Sequence, residues 1–264
     1  MLRKRRFARA LVTGASSGIG AAFARELAAR GTDLVLVART ASKLEDLAVE
    51  LRSQGVEVDV LPADLTSVDG LAAVEDRLRH GSLPVDLLVN NAGTGQVGRF
   101  DRLDVDQAEQ VIALNVLAPV RLVHAALPRL QVLHGGVLNV SSIGANQPVP
   151  HMAVYAGTKA FLTSWGEALH EELRGTSVHV TTLAPGFTRS NFAAEAAADD
   201  AASRIPSVIW AEAASVARVG LDGVARGRAV VTPGPIYRTG ATLSNLTPST
   251  VSRRVIGTVM RYLD

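Results

Sequence analysis

The chain contains no cysteine, which excludes a disulfide scaffold, a cysteine-ligated zinc site and a thiol nucleophile. Hydrophobic residues make up 47% of its 264 positions, yet no run of about 18 apolar residues occurs, so no membrane-spanning helix is expected. The arginine-rich start leads into a glycine-rich segment rather than a signal-peptide cleavage site. We therefore expect a cytoplasmic protein with one sizeable buried core.

Lysine is also scarce, at three of 27 basic residues, and the basic charge is unevenly spread. Residues 1–9 carry a formal charge of +5, residues 218–264 carry another +5, and the body between them is −8. The high isoelectric point of the sequence thus reflects two basic ends on an acidic body. A nucleic-acid partner is not expected, because the body between the two basic ends is acidic.

Short apolar runs alternate with longer helical patterns along the chain. Strands are predicted at 10–13, 33–38, 56–60, 85–89, 137–140, 178–183 and 229–231. Helices are predicted at 19–30, 42–54, 68–79, 154–174 and 105–133, the last with a bend at Pro119. Strands that are apolar on both faces indicate a parallel sheet covered by helices on both sides. The predicted fold class is α/β, a single doubly wound Rossmann-type parallel sheet.

A glycine-rich loop follows the first predicted strand and opens the first helix. Glycine there permits a tight turn and a close approach of the backbone to a pyrophosphate, and the helix N-terminus offers free N–H groups. The loop residues are Gly14, Ser16, Ser17, Gly18, Ile19 and Gly20. A plain glycine turn has the same composition, but the position between strand and helix favours a dinucleotide site.

The end of the second predicted strand indicates which dinucleotide is bound. A site for NAD usually has an acid there for the ribose 2′-hydroxyl, whereas this chain has Ala38 and Arg39. A guanidinium can bind a 2′-phosphate through two parallel hydrogen bonds. We therefore predict NADP(H) rather than NAD(H) as the cofactor; the alternative is that Arg39 is a solvated surface residue.

Tyr155 and Lys159 lie four residues apart in a predicted helix, which places them on one face. A neighbouring ammonium group stabilises a tyrosinate, so it should lower the pKa of the Tyr155 hydroxyl from about 10. Tyr155 is then a candidate general acid for a carbonyl oxygen that receives a hydride. A core tyrosine beside a surface lysine would show the same spacing.

Further motifs occur in a fixed order, and with this pair the sequence resembles the short-chain dehydrogenase/reductase family over residues of about 8–235. The first of these motifs is the glycine loop. The others are Asp64-Leu65, Asn90-Asn91-Ala92-Gly93, Asn115, Ser141-Ser142 and Pro185-Gly186-Phe187-Thr188. Ser142 precedes Tyr155 by thirteen positions, which is the family's offset for the catalytic serine.

The resemblance implies a role for each of these residues. Tyr155 would be the general acid/base, Lys159 would lower its pKa and bind the nicotinamide ribose, and Ser142 would hydrogen-bond the substrate. Asn115 would hold a water in a proton relay to Lys159, and Thr188 would anchor the nicotinamide carboxamide. The remaining cofactor contacts would come from Asp64, Leu65, Asn91, Ala92, Gly93, Pro185 and Gly186.

This resemblance divides the chain into three segments. Residues 1–9 form a basic N-terminal arm, 10–235 a dinucleotide-binding catalytic domain with a substrate insertion at about 188–212, and 236–264 a C-terminal extension. The extension has the pattern of an amphipathic helix with a basic face. Packing against this chain or a partner subunit, contact with an anionic membrane surface, and closure over the substrate are its three candidate roles.

The function implied is hydride transfer between NADP(H) and an apolar carbonyl or secondary alcohol substrate, with no metal. Two alternatives remain open: a lipid-type 3-oxoacyl reductase at a membrane surface, and a regulatory protein that binds the cofactor without turnover. By analogy with the family, a homodimer or homotetramer is expected. The substrate wall should include Phe187, Ile209 and Trp210, with His151 at the mouth or exposed beside it.

Overall fold

The computed structural model describes residues 7–189 and 207–235, together with Tyr237 and Thr239. The described chain contains one seven-stranded sheet. Its strands are β1 (Arg9–Thr13), β2 (Asp33–Ala38), β3 (Val58–Pro62), β4 (Leu87–Asn90), β5 (Gly136–Val140), β6 (His179–Leu183) and β7 (Val230–Val231). All neighbours are parallel, and their order is β3-β2-β1-β4-β5-β6-β7. The predicted doubly wound α/β sheet is confirmed.

Helices cover both faces of this sheet. They are α1 (Gly18–Ala29), α2 (Ala41–Arg52), α3 (Val68–His80), α4 (Val105–Ile112), α5 (Ala118–Leu133), α6 (Ala153–Glu172) and α7 (Ala213–Ala225). One buried core lies between the sheet and α1, α2 and α7, and the other between the sheet and α3, α5 and α6. Along β2, Leu34 and Leu36 enter the first core while Val35 and Val37 enter the second, because successive strand side chains point to opposite faces.

Helix α7 is absent from the sequence-based prediction. Its segment is rich in alanine and valine but also contains Gly220 and Gly223, which lower intrinsic helix propensity. The structure gives these glycines a packing role. A Cβ on Gly220 would lie 3.2 Å from the ring of Phe23 in α1, so glycine allows the two helices to approach closely. Tertiary packing therefore stabilises a helix that local propensity does not predict.

The helical region from Val105 to Leu133, in which Pro119 predicts a bend, changes helix type just before that proline. A π-helical turn at Ala113–Leu117 joins α4 to α5, and Pro119 lies in the first turn of α5. Proline has no N–H to donate to the carbonyl of Asn115 four residues earlier, so an α-helical ladder cannot continue here.

The same helical region contains an 18-residue window of mean hydropathy 1.6, of which 44% is buried within the protein. By length and composition alone, this region is long and apolar enough to span a membrane.

The sheet order creates a crevice beside β1. From β1 the chain builds outward to β3, then returns to place β4 on the other side of β1. The loops that leave β1 and β4 therefore diverge over opposite faces, and a crevice forms between them at the carboxyl ends of the strands. Both the glycine loop and the Asn91–Gly93 motif enter this crevice, which brings two distant motifs to one site.

Three predicted features fall wholly or mostly outside the described residues. They are positions 1–6 of the basic arm, residues 190–206 of the substrate insertion, and the amphipathic helix of the C-terminal extension. Arg9, predicted to belong to the arm, is instead the first residue of β1 and is only 4% exposed.

Arg9 is buried among carboxylates at the amino ends of the central strands. Its guanidinium donates to Asp33 at 3.1 Å, to Glu57 at 2.6 Å and to Asp59 at 3.4 Å. These acids precede or belong to β2 and β3, so a single cation ties three neighbouring strands together. Removing Arg9 would take away the cation that these carboxylates share, although Arg77 would still pair with Asp59 at 3.0 Å.

We expect Arg9→Met to lower the free energy of unfolding by about 2 kcal/mol, because three partly exposed acids lose their shared cation. The matched control is Arg25→Met, since the Arg25–Glu50 ion pair is about half exposed on both sides. That control should cost less than about 1 kcal/mol. Chemical denaturation of both variants measures the difference, and equal losses would contradict a special role for Arg9.

Candidate active site

Thr13 joins the loops that follow β1 and β4. Its buried hydroxyl accepts hydrogen bonds from the backbone N–H groups of Asn91 and Ala92, both at 3.0 Å, and donates to the carbonyl of Val89 at 3.3 Å. The Asn91 side chain returns a hydrogen bond to the Thr13 carbonyl at 2.9 Å. These contacts hold the predicted cofactor residues Asn91 and Ala92 against the glycine loop.

The glycine loop has the conformation and the space that a dinucleotide phosphate requires. Gly14 and Gly18 have φ angles of +65° and +54°, which favour glycine over other residues. A Cβ on Gly20 would lie 2.0 Å from the Gly14 carbonyl oxygen, so the loop can pack on α1 only with glycine there. Helix α1 begins at Gly18, with Ser17 as its N-cap residue, so the predicted loop-to-helix junction is present.

Arg39 and Asp64 lie near each other at the edge of the crevice, after β2 and β3. Arg39 is exposed. Hydrogen bonds from Thr66, and to a smaller extent the charge of Arg39, hold the pKa of Asp64 below its usual range. Leu65 is 5% exposed and packs in the core beneath them. A guanidinium in this position is free to meet a phosphate from the solvent side.

Ser141 and Ser142 follow β5 and face different ways. The buried Ser141 hydroxyl bonds the Lys159 carbonyl at 2.8 Å and shares a hydrogen bond with Thr163 on α6. Ser142 is only partly buried, accepts from the Gly144 N–H at 3.1 Å, and hydrogen-bonds the side chain of Tyr155. Of the two, Ser142 is therefore the one whose hydroxyl meets Tyr155.

The chain's own groups shift the pKa of Tyr155 upward, which is opposite to the direction predicted from its spacing to Lys159. Burial raises this pKa to about 12, and the hydrogen bond with Ser142 opposes the rise. The Lys159 Nζ lies 5.8 Å from the centroid of the Tyr155 ring. Desolvation of the hydroxyl therefore outweighs any help from the ammonium, and Tyr155 is protonated at neutral pH.

Lys159 is almost fully buried, at 4% exposed. Its Nζ donates to the Val140 carbonyl at the end of β5 at 2.8 Å. Burial lowers the pKa of Lys159 to about 8, because a charged ammonium is poorly solvated there. A Cβ on Gly93 would lie 3.2 Å from this Nζ and 3.1 Å from the Asn115 Oδ1, so glycine allows both groups to pack closely against the backbone at this position.

Asn115 is fully buried in the π-helical turn, and its side chain is held from two sides. Its Oδ1 accepts from the Thr94 N–H at 3.0 Å, while its Nδ2 donates to the Thr94 carbonyl at 2.9 Å and to the Thr158 hydroxyl at 3.0 Å. Thr158 in turn donates to the Tyr155 carbonyl at 2.7 Å. This chain of hydrogen bonds connects the loop after β4 to the first turn of α6.

The Pro185–Thr188 turn follows β6 and lies beside Ser142. The Pro185 carbonyl accepts from the Ile143 N–H at 3.0 Å, and the Thr188 hydroxyl donates to the Gly186 carbonyl at 2.9 Å. Thr188 is 8% exposed. The next residue, Arg189, forms an exposed ion pair with Glu212 at 3.0 Å.

Thr13, Thr94, Thr158 and Ser141 belong to the site but were not among the predicted site residues. Three of them are hydroxyls that hold a predicted residue in place, and Thr94 does so through its backbone. Their proximity to predicted motifs in the sequence is the only available signal, because threonine and serine occur in many other settings.

His151 has a φ of +64°, and its carbonyl accepts from the Gly98 N–H at 2.8 Å, which joins two loops at the mouth.

Taken together, these residues fit a nicotinamide dinucleotide. Its pyrophosphate would lie on the glycine loop, its adenosine ribose near Arg39 and Asp64, and its nicotinamide between Lys159 and the Pro185–Thr188 turn. The observations that test the fit are the left-handed Gly14 and Gly18 and the close packing of Lys159 and Asn115 against Gly93. A side chain at any of these three would strain or fill the cradle.

Comparisons with known proteins agree with this geometry. A family model described as short chain dehydrogenase matches residues 8–201. A short-chain dehydrogenase from Sphingobium yanoikuyae, solved in complex with NADPH, is similar in structure, with a TM-score of 0.81 and 37% sequence identity. The aligned region covers 89% of this chain and 92% of that protein. A bulky-bulky ketone specific alcohol dehydrogenase from Comamonas testosteroni is similar at 32% identity and a TM-score of 0.79, with 92% of each chain covered.

Relatives known by sequence include very-long-chain 3-oxoacyl-CoA reductases. The protein of that name from Kluyveromyces lactis is 36% identical over 65% of this chain and 52% of its own length. The one from Meyerozyma guilliermondii is 39% identical over 65% of this chain and 53% of its own. The matched region thus spans about half the length of these curated relatives. With the family model covering most of the chain, these findings show that this protein belongs to the short-chain dehydrogenase/reductase family of oxidoreductases.

Proposed function

We propose that the protein catalyses hydride transfer between NADP(H) and a carbonyl or secondary alcohol substrate. The observation that carries the proposal is the joint placement of Ser142, Tyr155 and Lys159 at the carboxyl ends of β5 and β6, beside the dinucleotide crevice. A proton donor and a second polar group in contact are what a carbonyl oxygen needs while a hydride adds to its carbon. The nicotinamide, when bound, supplies or accepts that hydride.

The charge states of Tyr155 and Lys159 suit the direction of reduction. Tyr155, with its pKa raised to about 12, holds the proton that a developing alkoxide takes up. Lys159, with its pKa lowered to about 8, can replace that proton near neutral pH and become charged again from solvent. Ser142 hydrogen-bonds the Tyr155 side chain and can donate to the same substrate oxygen.

Asn115 supports a water for this proton transfer through its backbone rather than its side chain. Both side-chain groups of Asn115 already bond Thr94 or Thr158. Its carbonyl, by contrast, loses the α-helical donor at Pro119. A water held on that carbonyl would relay the proton to Lys159, whose Nζ lies close to Gly93, as does the Asn115 side chain.

NADP(H) is supported by Arg39 and by the relatives. The guanidinium is exposed at the end of β2, where an NAD-binding chain usually has an acid. The similar structure from Sphingobium yanoikuyae was solved with NADPH. An arginine guanidinium at this place selects a ribose 2′-phosphate over a 2′-hydroxyl through charge-assisted hydrogen bonds.

A second candidate is reduction of a long-chain 3-oxoacyl thioester. The specific observation in its favour is the 36–39% identity to very-long-chain 3-oxoacyl-CoA reductases. Both candidates use the same groups to protonate a ketone oxygen and differ only in what surrounds it. Assays with simple ketones and with a 3-oxoacyl-CoA series separate them, since the preferred class should show the higher kcat/KM.

We expect Tyr155→Phe to lower kcat at least about 100-fold, because the general acid is lost while the ring remains. Binding of NADPH, followed by fluorescence titration, should change less than about threefold, since the cofactor keeps its phosphate and ribose contacts. Turnover by the wild type with a ketone panel is the reference measurement. Absence of turnover with NADPH still bound would instead support the regulatory protein, and retained turnover in the variant would exclude Tyr155 as the acid.

The adjacent serines offer a matched pair of variants. Ser142→Ala should lower kcat about 10- to 100-fold, because it removes a hydrogen bond to the reacting oxygen. Ser141→Ala should keep kcat within about threefold but lower the free energy of unfolding by about 1 kcal/mol, because its buried hydroxyl bonds α6. Steady-state kinetics and chemical denaturation of both variants measure these effects. A larger loss of kcat in Ser141→Ala than in Ser142→Ala would show that the thirteen-residue offset to Tyr155 does not identify the catalytic serine of this chain.

Arg39→Asp should shift the cofactor preference from NADPH toward NADH. Loss of charge-assisted hydrogen bonds to the 2′-phosphate should weaken NADPH about 10- to 100-fold, while the new acid can bind the ribose hydroxyls of NADH. The control is Lys43→Met, which removes a cation one turn further along α2. Titration of each variant with both cofactors tests this; an unchanged preference in Arg39→Asp, or an equal shift in the control, would contradict it.

A further inference from the structure

The ring of Tyr237 lies directly against Gly186 in the turn after β6. A Cβ on Gly186 would be 2.2 to 2.4 Å from three atoms of this ring, so the contact requires glycine at position 186. The Tyr237 hydroxyl donates to the Ile209 carbonyl at 2.5 Å and is hydrogen-bonded by the Phe187 backbone. One side chain thus touches both the cofactor turn and the segment that leads into α7.

The two segments that Tyr237 bridges are also paired with each other. The Ala211 N–H donates to the Phe187 carbonyl at 2.8 Å, and the Arg189 N–H donates to the Ala211 carbonyl at 3.0 Å. Thr188 and Ala211 form an isolated parallel bridge. Burial raises the pKa of Tyr237, so its hydroxyl remains a hydrogen-bond donor over the working pH range.

Two aromatic side chains stand on the segments that are joined in this way. The rings of Phe187 and Trp210 have centroids 5.8 Å apart and planes tilted by 52°, a favourable aromatic arrangement. Phe187 is 45% exposed, which is a large apolar surface for a residue next to a cofactor turn. The Ile143 N–H, next to Ser142, donates to the Pro185 carbonyl at 3.0 Å, so the turn that carries Phe187 is attached to the segment that carries Ser142.

We propose that Tyr237 is a positioning residue that fixes Phe187 and Trp210 as an aromatic wall of the substrate pocket. The wall selects substrates with an aromatic or bulky apolar group on the carbonyl carbon. The choice of substrate class rests on the proposed function, whereas the clamp itself rests on the contacts of Tyr237 alone. A hydroxyl that joins two backbone segments can set the spacing of both rings without touching the substrate.

The sequence contains two tryptophans, Trp165 and Trp210, so Trp165→Phe leaves Trp210 as the single fluorescent reporter. In that background, Tyr237→Ala should raise the acrylamide quenching constant of Trp210 at least about twofold, and Tyr237→Phe should raise it less, because the ring remains. The matched control is Phe161→Ala. Phe161 is 41% exposed, close to the 45% of Phe187, but its ring stacks on the side chain at position 165. Quenching in the control should stay unchanged.

Kinetics then test the specificity. Both Tyr237 variants should raise KM for acetophenone, about tenfold in Tyr237→Ala, while KM for acetone and kcat with either ketone change less than about threefold. Unchanged Trp210 quenching in both variants overturns the clamp. If the quenching constant of Trp210 rises but KM increases equally for acetophenone and acetone, the specificity role is overturned. Tyr237→Phe keeps the test valid if Tyr237→Ala fails to fold. If the wild type reduces no ketone, the proposed function fails while the quenching experiment still decides the clamp.

Discussion

The ammonium group of Lys159 is held inside the protein, and much of the surrounding structure follows from the need to accommodate it. The side chain is almost inaccessible to solvent, its Nζ donates to the Val140 carbonyl, and burial lowers its pKa to about 8. A buried charge is costly unless hydrogen bonds and nearby polar atoms replace water. The Val140 carbonyl is one such polar atom, and the Asn115 Oδ1 is another nearby, since it and the Lys159 Nζ both lie close to Gly93.

Hydroxyls and an amide keep these surroundings in place. Thr13 binds the loop after β4 to the loop after β1, and Asn115 binds that same β4 loop to Thr158 on α6. Each contact joins elements that are distant in sequence, so the site is assembled by the sheet order and not by any one motif. The π-helical turn serves the same end, since it brings Asn115 to full burial just where Pro119 interrupts the α-helical ladder.

Much of the fold could be predicted from the sequence because its signals are local. The bounds of β2 are those predicted, since an uninterrupted apolar run between polar ends is unambiguous. The glycine loop likewise combines φ requirements with a strand-to-helix junction. Helix α7 could not be predicted, because its glycines oppose helix formation locally and are favourable only against Phe23 and Val231. The place of Arg9 in β1 was missed for a similar reason, since its three acidic partners come from later strands.

The sequence by itself determined most strands and helices, the glycine loop and the spacing of Tyr155 and Lys159, because each depends on neighbours within a few residues; the alternation of these elements then indicated a doubly wound sheet. The tertiary structure decided in which direction the Tyr155 pKa moves, and it places Ser142, the serine favoured by the offset, against Tyr155. It also decided that Tyr237 lies on Gly186. These outcomes depend on burial and on contacts between remote segments, and the free energy of a buried hydroxyl or ammonium is set by every element that excludes water from it.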